Sequence, residues 1–454
     1  MSEILFGTDG YRGPANDSTE TGINPTTFKR LAYEYVGLTN QRSNQQMIVI
    51  VGSDTRTSSP ALREAVCGGA KTAGAEVWDM GIAPTPVIAW AAQNHYTNAI
   101  AITASHNPGE DNGFKPFDIG GVKPSGETLR EIERRYFSAT GLTYLPVALE
   151  QRRSGKPHLK SEYISHVVES IGGNDVLRGK KVIIDGANGA VYDLAPRVYQ
   201  ALGAEVITFS CNKNGAHINQ NCGAAHLDGL KEFIKENPEI VKSPDYIGAF
   251  ASDGDGDRVI GVDHLGRVID GNYWMNRLSI GQLGIVGTIY TNTALQQAVT
   301  GRGIEFHECA NGDHYVTTRL MELTARHGSG FTRGGEFTGH LIDLDHLSSG
   351  DGIYMGAWLA ADLAAKDMSL ADVYEELSLW PENMVNVRVS RAAERLATPA
   401  FQEFLSAERE QLGELGRIIV RPSGTEPLVR IWAESKIHDV KAITSRLAQV
   451  LQTV

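Results

Sequence analysis

Cysteine is scarce in this chain. Only four occur in 454 residues, at Cys67, Cys211, Cys222 and Cys309, and no two form a C-x-x-C pair. That argues against a disulfide framework and a cysteine-rich zinc site, and predicts reduced, mostly buried thiols. Positive charge is in deficit too: 42 Lys and Arg against 54 Asp and Glu leave a formal net charge of −12. A surface of that sign does not attract nucleic acid or an anionic membrane, so any anionic ligand needs a local site built for it. No run approaches the ~18 apolar residues of a membrane span. The start MSEILFGTDG has neither the basic nor the apolar segment of a secretory signal. The expectation is a cytoplasmic protein with no nucleic-acid or membrane partner. A G-x-x-x-x-G-K-[ST] phosphate loop is absent as well.

What is present is the mixture of a soluble globular protein, 41% hydrophobic and 21% charged. The length exceeds what one core serves and predicts roughly three or four domains of about 100 to 150 residues. Short apolar runs alternate with amphipathic stretches: MIVIVG (47–52), AIAIT (99–103), KVIIDG (181–186), AEVITF (204–209), YIGAFA (246–251) and GTIYTN (287–292) read as strands. TTFKRLAYEYVGL, SPALREAVCGGAKTAG and VYDLAPRVYQALG carry helical spacing, the last closed by Gly203. Such alternation marks α/β units with largely parallel sheets. The C-terminal part reads differently, as strand NMVNVRV, a helix over 393–412, strands RIIVRP and LVRIWAE, and a final helix. The predicted fold class is therefore α/β: three related α/β domains with mixed sheets, then a smaller α+β domain. Polar or turn-rich breaks divide them as 1–153, 154–253, 254–370 and 371–454.

Six segments carry candidate chemistry. TASHNP (103–108) sets the hydroxyl of Ser105 beside His106 at the mouth of a turn, where a local backbone cap is the plainer reading. DGDGDR (253–258) follows a strand candidate, and alternation along an extended backbone would turn Asp253, Asp255 and Asp257 to one side. Three such carboxylates suit the oxygen shell of Mg²⁺, and without a cation they repel. A calcium loop of EF-hand type is excluded by Arg258 and His264 at the places that need Gly and Glu. RPSGTEPLVR (421–430) offers Arg421, Ser423, Gly424, Thr425 and Arg430, a donor set fit for a phosphate or simply a hairpin with two arginines. GGEFTGH (334–340) places Glu336 and Thr338 in alternation before His340, either as a solvated turn or as a grip on hydroxyls. FGTDGYRG (6–13) and DNGFKPF (111–117) add Arg12 and Lys115, cations that are otherwise solvated or structural.

A nucleophilic hydroxyl, a triple-Asp loop, a phosphate cradle and a polyol-facing pair point together to phosphoryl transfer on a phosphosugar. In chain order, FGTDGYRG, TASHNP, DGDGDR, GGEFTGH and RPSGTEPLVR resemble the α-D-phosphohexomutase family end to end. The resemblance is strongest to its bacterial phosphoglucosamine mutase branch, through INQNCGAAH (218–226), NGDHYV (311–316), SSGDGIY (348–354) and WPENMVNVRV (380–389). It implies a four-domain, heart-shaped isomerase with its site in a central cleft, in which Ser105 is phosphorylated and Mg²⁺ joins its phosphate to Asp253, Asp255 and Asp257. It further implies exchange of glucosamine 6-phosphate and glucosamine 1-phosphate through a 1,6-bisphosphate, with glucose or glucosamine 1,6-bisphosphate as activator. By the same resemblance Arg12, Lys115 and Arg258 neutralise the moving phosphoryl group, and His106 lies beside the serine. Lys115 and His340 handle protons, Glu336 and Thr338 hold the sugar, and Arg421, Ser423, Gly424, Thr425 and Arg430 hold the second phosphate. A broader phosphoglucomutase/phosphomannomutase and an inactive phosphosugar-binding protein are the alternatives, and the chain would be a monomer or a homodimer. Phe337-Thr338, His314 and Pro116 stand where the family more often has a polar pair, an Arg and an aromatic.

Overall fold

The computed structural model describes residues 6–7, 10–40, 47–138, 158–422 and 428–453. The first sheet holds β1 (Tyr11–Pro14), β2 (Ile48–Ser53), β3 (Glu76–Ile82), β4 (Asn98–Ile102) and β5 (Asp111–Phe117), in the order β1-β5-β4-β2-β3. β2 and β4 pair in parallel, and they are continuous apolar runs because parallel central strands are covered on both faces. Helix Pro25–Asn40 presents Phe28, Leu31 and Tyr35 at helical spacing to a core that includes Val49, Ile100 and Phe114.

The same plan recurs twice. β6 (Lys181–Asp185), β7 (Glu205–Phe209), β8 (Tyr246–Ser252), β9 (Val259–Val262) and β10 (Val268–Ile269) form the order β10-β9-β8-β6-β7. β11 (Gly284–Thr288), β12 (Glu305–Cys309), β13 (Arg333–Gly335) and β14 (Leu341–Asp343) form β12-β11-β13-β14. Counting from β2 in the first sheet, whose edge strand β1 is an addition beside β5, the first strand of each sheet is flanked by the second and third in parallel, and the next strand returns antiparallel beside the third. A shared local device closes each first strand. Asp54 accepts the amide of Arg56 at 3.0 Å, Asp185 that of Ala187 at 2.9 Å, and Thr288 that of Tyr290 at 3.3 Å. These are side-chain turns two residues wide.

Met1–Thr291 with Ala298–Leu377 form one compact unit, and Ser378–Val454 with Asn292–Gln297 a second. In the second, β15 (Glu382–Arg388), β16 (Gly416–Pro422) and β17 (Leu428–Ser435) make an antiparallel sheet in the order β15-β17-β16. Val429, Ile431 and Ala433 pack with Phe401, Leu405 and Leu447 of its helices.

Four expectations are corrected. The strand expected at 287–292 is β11, three residues earlier, because the turn at Thr288 ends it. The single helix over 393–412 is two, Ala392–Leu396 and Pro399–Leu412, since Pro399 cannot continue a helix but starts one well. β9 and β10 extend the second sheet past residue 253, where the sequence division fell. Helix Leu370–Glu375 belongs to the first unit, although the division at 371 runs through it. The alternating runs and Gly203, in the left-handed region at φ 98°, stand as read. Among the described residues no helix is long and apolar enough to cross a membrane.

Two glycines give opposite tests of the packing. A Cβ on Gly69 would lie 2.0 Å from the Lys29 carbonyl oxygen of the facing helix, whereas one on Gly37 would meet nothing within 4 Å. Gly69→Ala is expected to cost about 1–3 kcal/mol, and Gly37→Ala to add roughly 0.5–1 kcal/mol. Thermal unfolding midpoints that move down and up respectively would agree; two equal shifts would not.

Asp185 gives a pH test. Burial pushes its carboxyl from 3.8 to about 7, against the amides of Ala187 and Gly223. The folded state therefore keeps a proton that the unfolded chain releases, so stability is full below 3.8 and is lost as pH rises through about 7. The midpoint advantage of wild type over Asp185→Asn should shrink across that window. A gap independent of pH would contradict it.

Candidate active site

Each repeated sheet places its chemistry in the same turn, between the third strand and its antiparallel neighbour. Residues 103–110 join β4 to β5, 253–258 join β8 to β9, and 336–340 join β13 to β14. In each case the turn leaves the carboxyl end of a parallel strand where the strand order reverses, the crevice in which open α/β sheets hold ligands.

Ser105 is buried and takes a left-handed backbone, φ 52°, which a residue with a Cβ adopts at a cost. Its amide donates to the Thr103 hydroxyl at 2.8 Å, and that hydroxyl donates to Asp54 at 2.8 Å. Arg56, wholly buried, pairs with Asp54 at 2.8 Å and donates to the carbonyls of Ser105, Asn107, Pro108 and Asp111. So held, the Ser105 hydroxyl donates to Asp253 Oδ2 at 2.7 Å and lies 3.3 Å from His106 Nδ1.

Asp253, Asp255 and Asp257 are buried, each with a carboxylate oxygen within 4.8 Å of the other two. They do not converge by strand alternation, as the sequence suggested. The segment is a turn in which Gly256, at φ 80°, donates its amide to the Asp253 carbonyl at 3.1 Å. Thr85 donates its hydroxyl to Asp255 at 2.7 Å, and Lys115 reaches Asp257 at 2.7 Å and Asp255 at 3.4 Å. Burial first, then the charges of Asp257 and Asp255, push Asp253 well above the carboxylate range. Burial also opposes ionisation of Asp257, but Lys115 and then His340 outweigh it and hold Asp257 well below that range. Oδ1 of Asp255 and Oδ1 of Asp257 are buried without a hydrogen bond among the described residues. A hard divalent cation fits that donor set: it would ligate the orphaned oxygens and relieve the repulsion. Arg258 comes within 4.0 Å of Asp257, and its amide donates to Asp253 at 3.3 Å. Arg12, paired in register with Gly113, shares a face with Lys115 two residues along β5.

In the third turn Glu336 and Thr338 again sit in a tight bend, not in alternation along a strand, and the Gly339 amide closes on the Glu336 carbonyl at 3.0 Å. Glu336 Oε1 accepts the Gly312 amide at 3.0 Å, and burial raises its carboxyl above the ordinary value. The Thr338 hydroxyl is buried without a partner among the described residues. His340 Nδ1 lies 3.6 Å from Asp257, and Nε2 lies 3.3 Å from Asp313 and 3.1 Å from the Gly350 amide. Burial disfavours its charged form, yet Asp313 and Asp257 raise it above the usual histidine range. Asp313 also pairs with Lys123.

In the second unit Arg421 and Arg430 stand opposite each other across β16 and β17. Like charges so placed repel, and an anion between them relieves the repulsion. Ser423, Gly424 and Thr425 lie outside the described residues. Of the remaining predicted residues, the first unit brings Ser105, His106, Lys115, Asp253, Asp255, Asp257, Arg258 and His340 into one connected network. Sequence reasoning missed Asp54, Arg56, Thr85, Lys123, Asn219 and Asp313. SDTR after an apolar run was a turn signal for the first two; Asn219 and Asp313 lie in INQNCGAAH and NGDHYV, which carried the resemblance but no assigned role, and Thr85 and Lys123 had no signal, since their partners lie far along the chain.

The description "Phosphoglucomutase/phosphomannomutase, alpha/beta/alpha domain I" matches residues 3–142, that of domain III residues 263–379, and that of the C-terminal domain residues 384–451. The phosphoglucosamine mutase of Moorella thermoacetica is 36% identical over 461 residues, covering 98% of this chain and 99% of that protein. A phosphoglucomutase/phosphomannomutase family protein from Burkholderia thailandensis shares the fold at TM-score 0.76 and 22% identity, covering 99% of this chain and 96% of that one. Aspergillus fumigatus N-acetylphosphoglucosamine mutase, solved in complex with GlcNAc-6P and magnesium, follows at TM-score 0.61 and 17% identity, covering 91% of this chain and 84% of that one. With three repeated sheets, a serine aimed at a buried aspartate trio and a relative matched end to end, the chain belongs to the phosphoglucomutase/phosphomannomutase family of α-D-phosphohexomutases.

Proposed function

We propose that the chain interconverts glucosamine 6-phosphate and glucosamine 1-phosphate, with Ser105 carrying the phosphoryl group in transit. The observation that carries this reading is the 2.7 Å bond from the Ser105 hydroxyl to Asp253, inside the buried trio of aspartates. The amino sugar is supported by the end-to-end relative named phosphoglucosamine mutase.

In the first half-reaction the Ser105 O–P bond breaks as the free hydroxyl of the sugar monophosphate forms its own O–P bond and gives up its proton. The 1,6-bisphosphate turns over, and its other phosphate returns to Ser105 as the second sugar hydroxyl takes a proton. Mg²⁺ bound by Asp253, Asp255, Asp257 and the Ser105 oxygen would withdraw charge from the transferring group. Arg12, Lys115 and Arg258 supply further positive charge to it. In its neutral form Lys115, on the strand that returns from the serine loop, would take the proton of the attacking hydroxyl instead of lending it charge, and His340 is the second proton carrier. His106 faces the serine oxygen when it is unphosphorylated. Glu336 and Thr338 accept from and donate to sugar hydroxyls, for which the Thr338 hydroxyl, buried without a partner among the described residues, is suited. Arg421 and Arg430, with Ser423, Gly424 and Thr425, hold the phosphate that is not reacting, in both orientations of the sugar. If the bisphosphate escapes in mid-cycle, the serine is left bare, which is why glucose or glucosamine 1,6-bisphosphate would activate.

With trace glucose 1,6-bisphosphate and Mg²⁺, glucosamine 6-phosphate should turn over faster than glucose or mannose 6-phosphate. Faster turnover of the latter two would favour the broader mutase, and none at all would leave only binding. The purified chain should also carry one phosphoryl mass increment that Ser105→Ala removes, with kcat lowered by about three orders of magnitude or more. An increment that persists in Ser105→Ala would refute the role of Ser105.

A further inference from the structure

The segment INQNCGAAH takes no part in the chemistry just described, yet it reaches the serine. Asn219 donates through Nδ2 to the Ser105 carbonyl at 2.8 Å and to the Asn107 carbonyl at 3.1 Å. Arg56 donates through Nη2 to the same two carbonyls, at 2.8 and 2.9 Å. A carbonyl has two lone pairs and an amide nitrogen two protons, so the two donors and two acceptors saturate one another. The donors come from different sheets, Arg56 from the turn after β2 and Asn219 from the stretch between β7 and β8. Asn219 is itself fixed from behind, its own amide donating to the Ala187 carbonyl at 3.0 Å, with φ 59°, a left-handed conformation that Asn tolerates. Gly254, between two of the aspartates, completes the enclosure: a Cβ there would lie 2.6 Å from the Ser105 carbonyl and 3.0 Å from Asn219 Nδ2.

We infer that Asn219 is a positioning residue for the phosphoryl-carrying serine, clamping the Ser105–Asn107 backbone so that Ser105 stays left-handed with its hydroxyl on the aspartate trio. A serine released from that conformation relaxes toward φ below zero and swings its oxygen off the line of transfer. The Asn219 side chain is spent on the Ser105 and Asn107 carbonyls, so it acts through Ser105. This inference rests on the reading of Ser105 as the group that accepts and returns the phosphoryl.

Asn219→Ala removes both donors, and the near-isosteric Asn219→Asp turns them into acceptors facing two carbonyl oxygens. Both are expected to lower kcat, by about 10- to 100-fold as misplacement of a reacting group by an ångström does. KM for the sugar phosphate should stay within threefold. In a single turnover with glucose 1,6-bisphosphate, the rate of Ser105 phosphorylation should fall with kcat, and more in Asn219→Asp than in Asn219→Ala. Variants that phosphorylate Ser105 at the wild-type rate would overturn the inference. So would a loss of kcat matched by a rise in KM and a fall in the unfolding midpoint, the signature of mere structural damage. If the wild type itself fails to phosphorylate Ser105, it is the proposed function that fails, not the clamp.

Discussion

Three carboxylates are buried within 4.8 Å of one another in the first unit, and their repulsion is the constraint that the surrounding structure answers. Burying one unpaired charge is costly and burying three together is more so. The chain meets that cost locally: Lys115 bridges Asp255 and Asp257, the Ser105 hydroxyl and two amides bind Asp253, and Thr85 holds Asp255. Two oxygens, on Asp255 and Asp257, are left without a hydrogen bond among the described residues. A site so balanced is poised for a cation, which would bring the positive charge the trio lacks.

The repeated sheets explain how distant residues meet there. Each domain of the first unit ends its third strand in a turn at the same topological point, and the three turns carry the serine, the aspartates and the Glu336 loop respectively. The helices and neighbouring loops then lend second contacts. Thr85 begins a helix of the first sheet yet bonds an aspartate of the second, and Lys115 stands on β5 yet pairs with two of them.

Much of this was legible in the sequence, for physical reasons. Runs such as IVIVG, NAIAI and KVIID are unbroken because they are buried on both faces, so β2, β4 and β6 could be read directly. β11 was misplaced because the glycines of GIVGT weaken its strand signal, while the β-branched and aromatic IYT after it forms a turn. The aspartate trio was visible as an acidic cluster, but the turn that gathers it was not, since positive φ at Gly256 leaves no trace beyond the glycine itself. Arg56 and Asn219 were hidden for a different reason. They bind backbone carbonyls 49 and 114 residues away along the chain, and a carbonyl has no sequence signature.

The claim that the trio is a cation site held under repulsion is tested most directly by the thermal unfolding midpoint with and without Mg²⁺, in wild type and in Asp253→Asn. Asp253 is the carboxylate whose charge burial and its neighbours most disfavour. The account predicts that Mg²⁺ raises the wild-type midpoint, because the ion binds only the folded trio, and that Asp253→Asn responds little or not at all. A wild-type midpoint unmoved by millimolar Mg²⁺, or an Asp253→Asn variant that responds as strongly as the wild type, would contradict it.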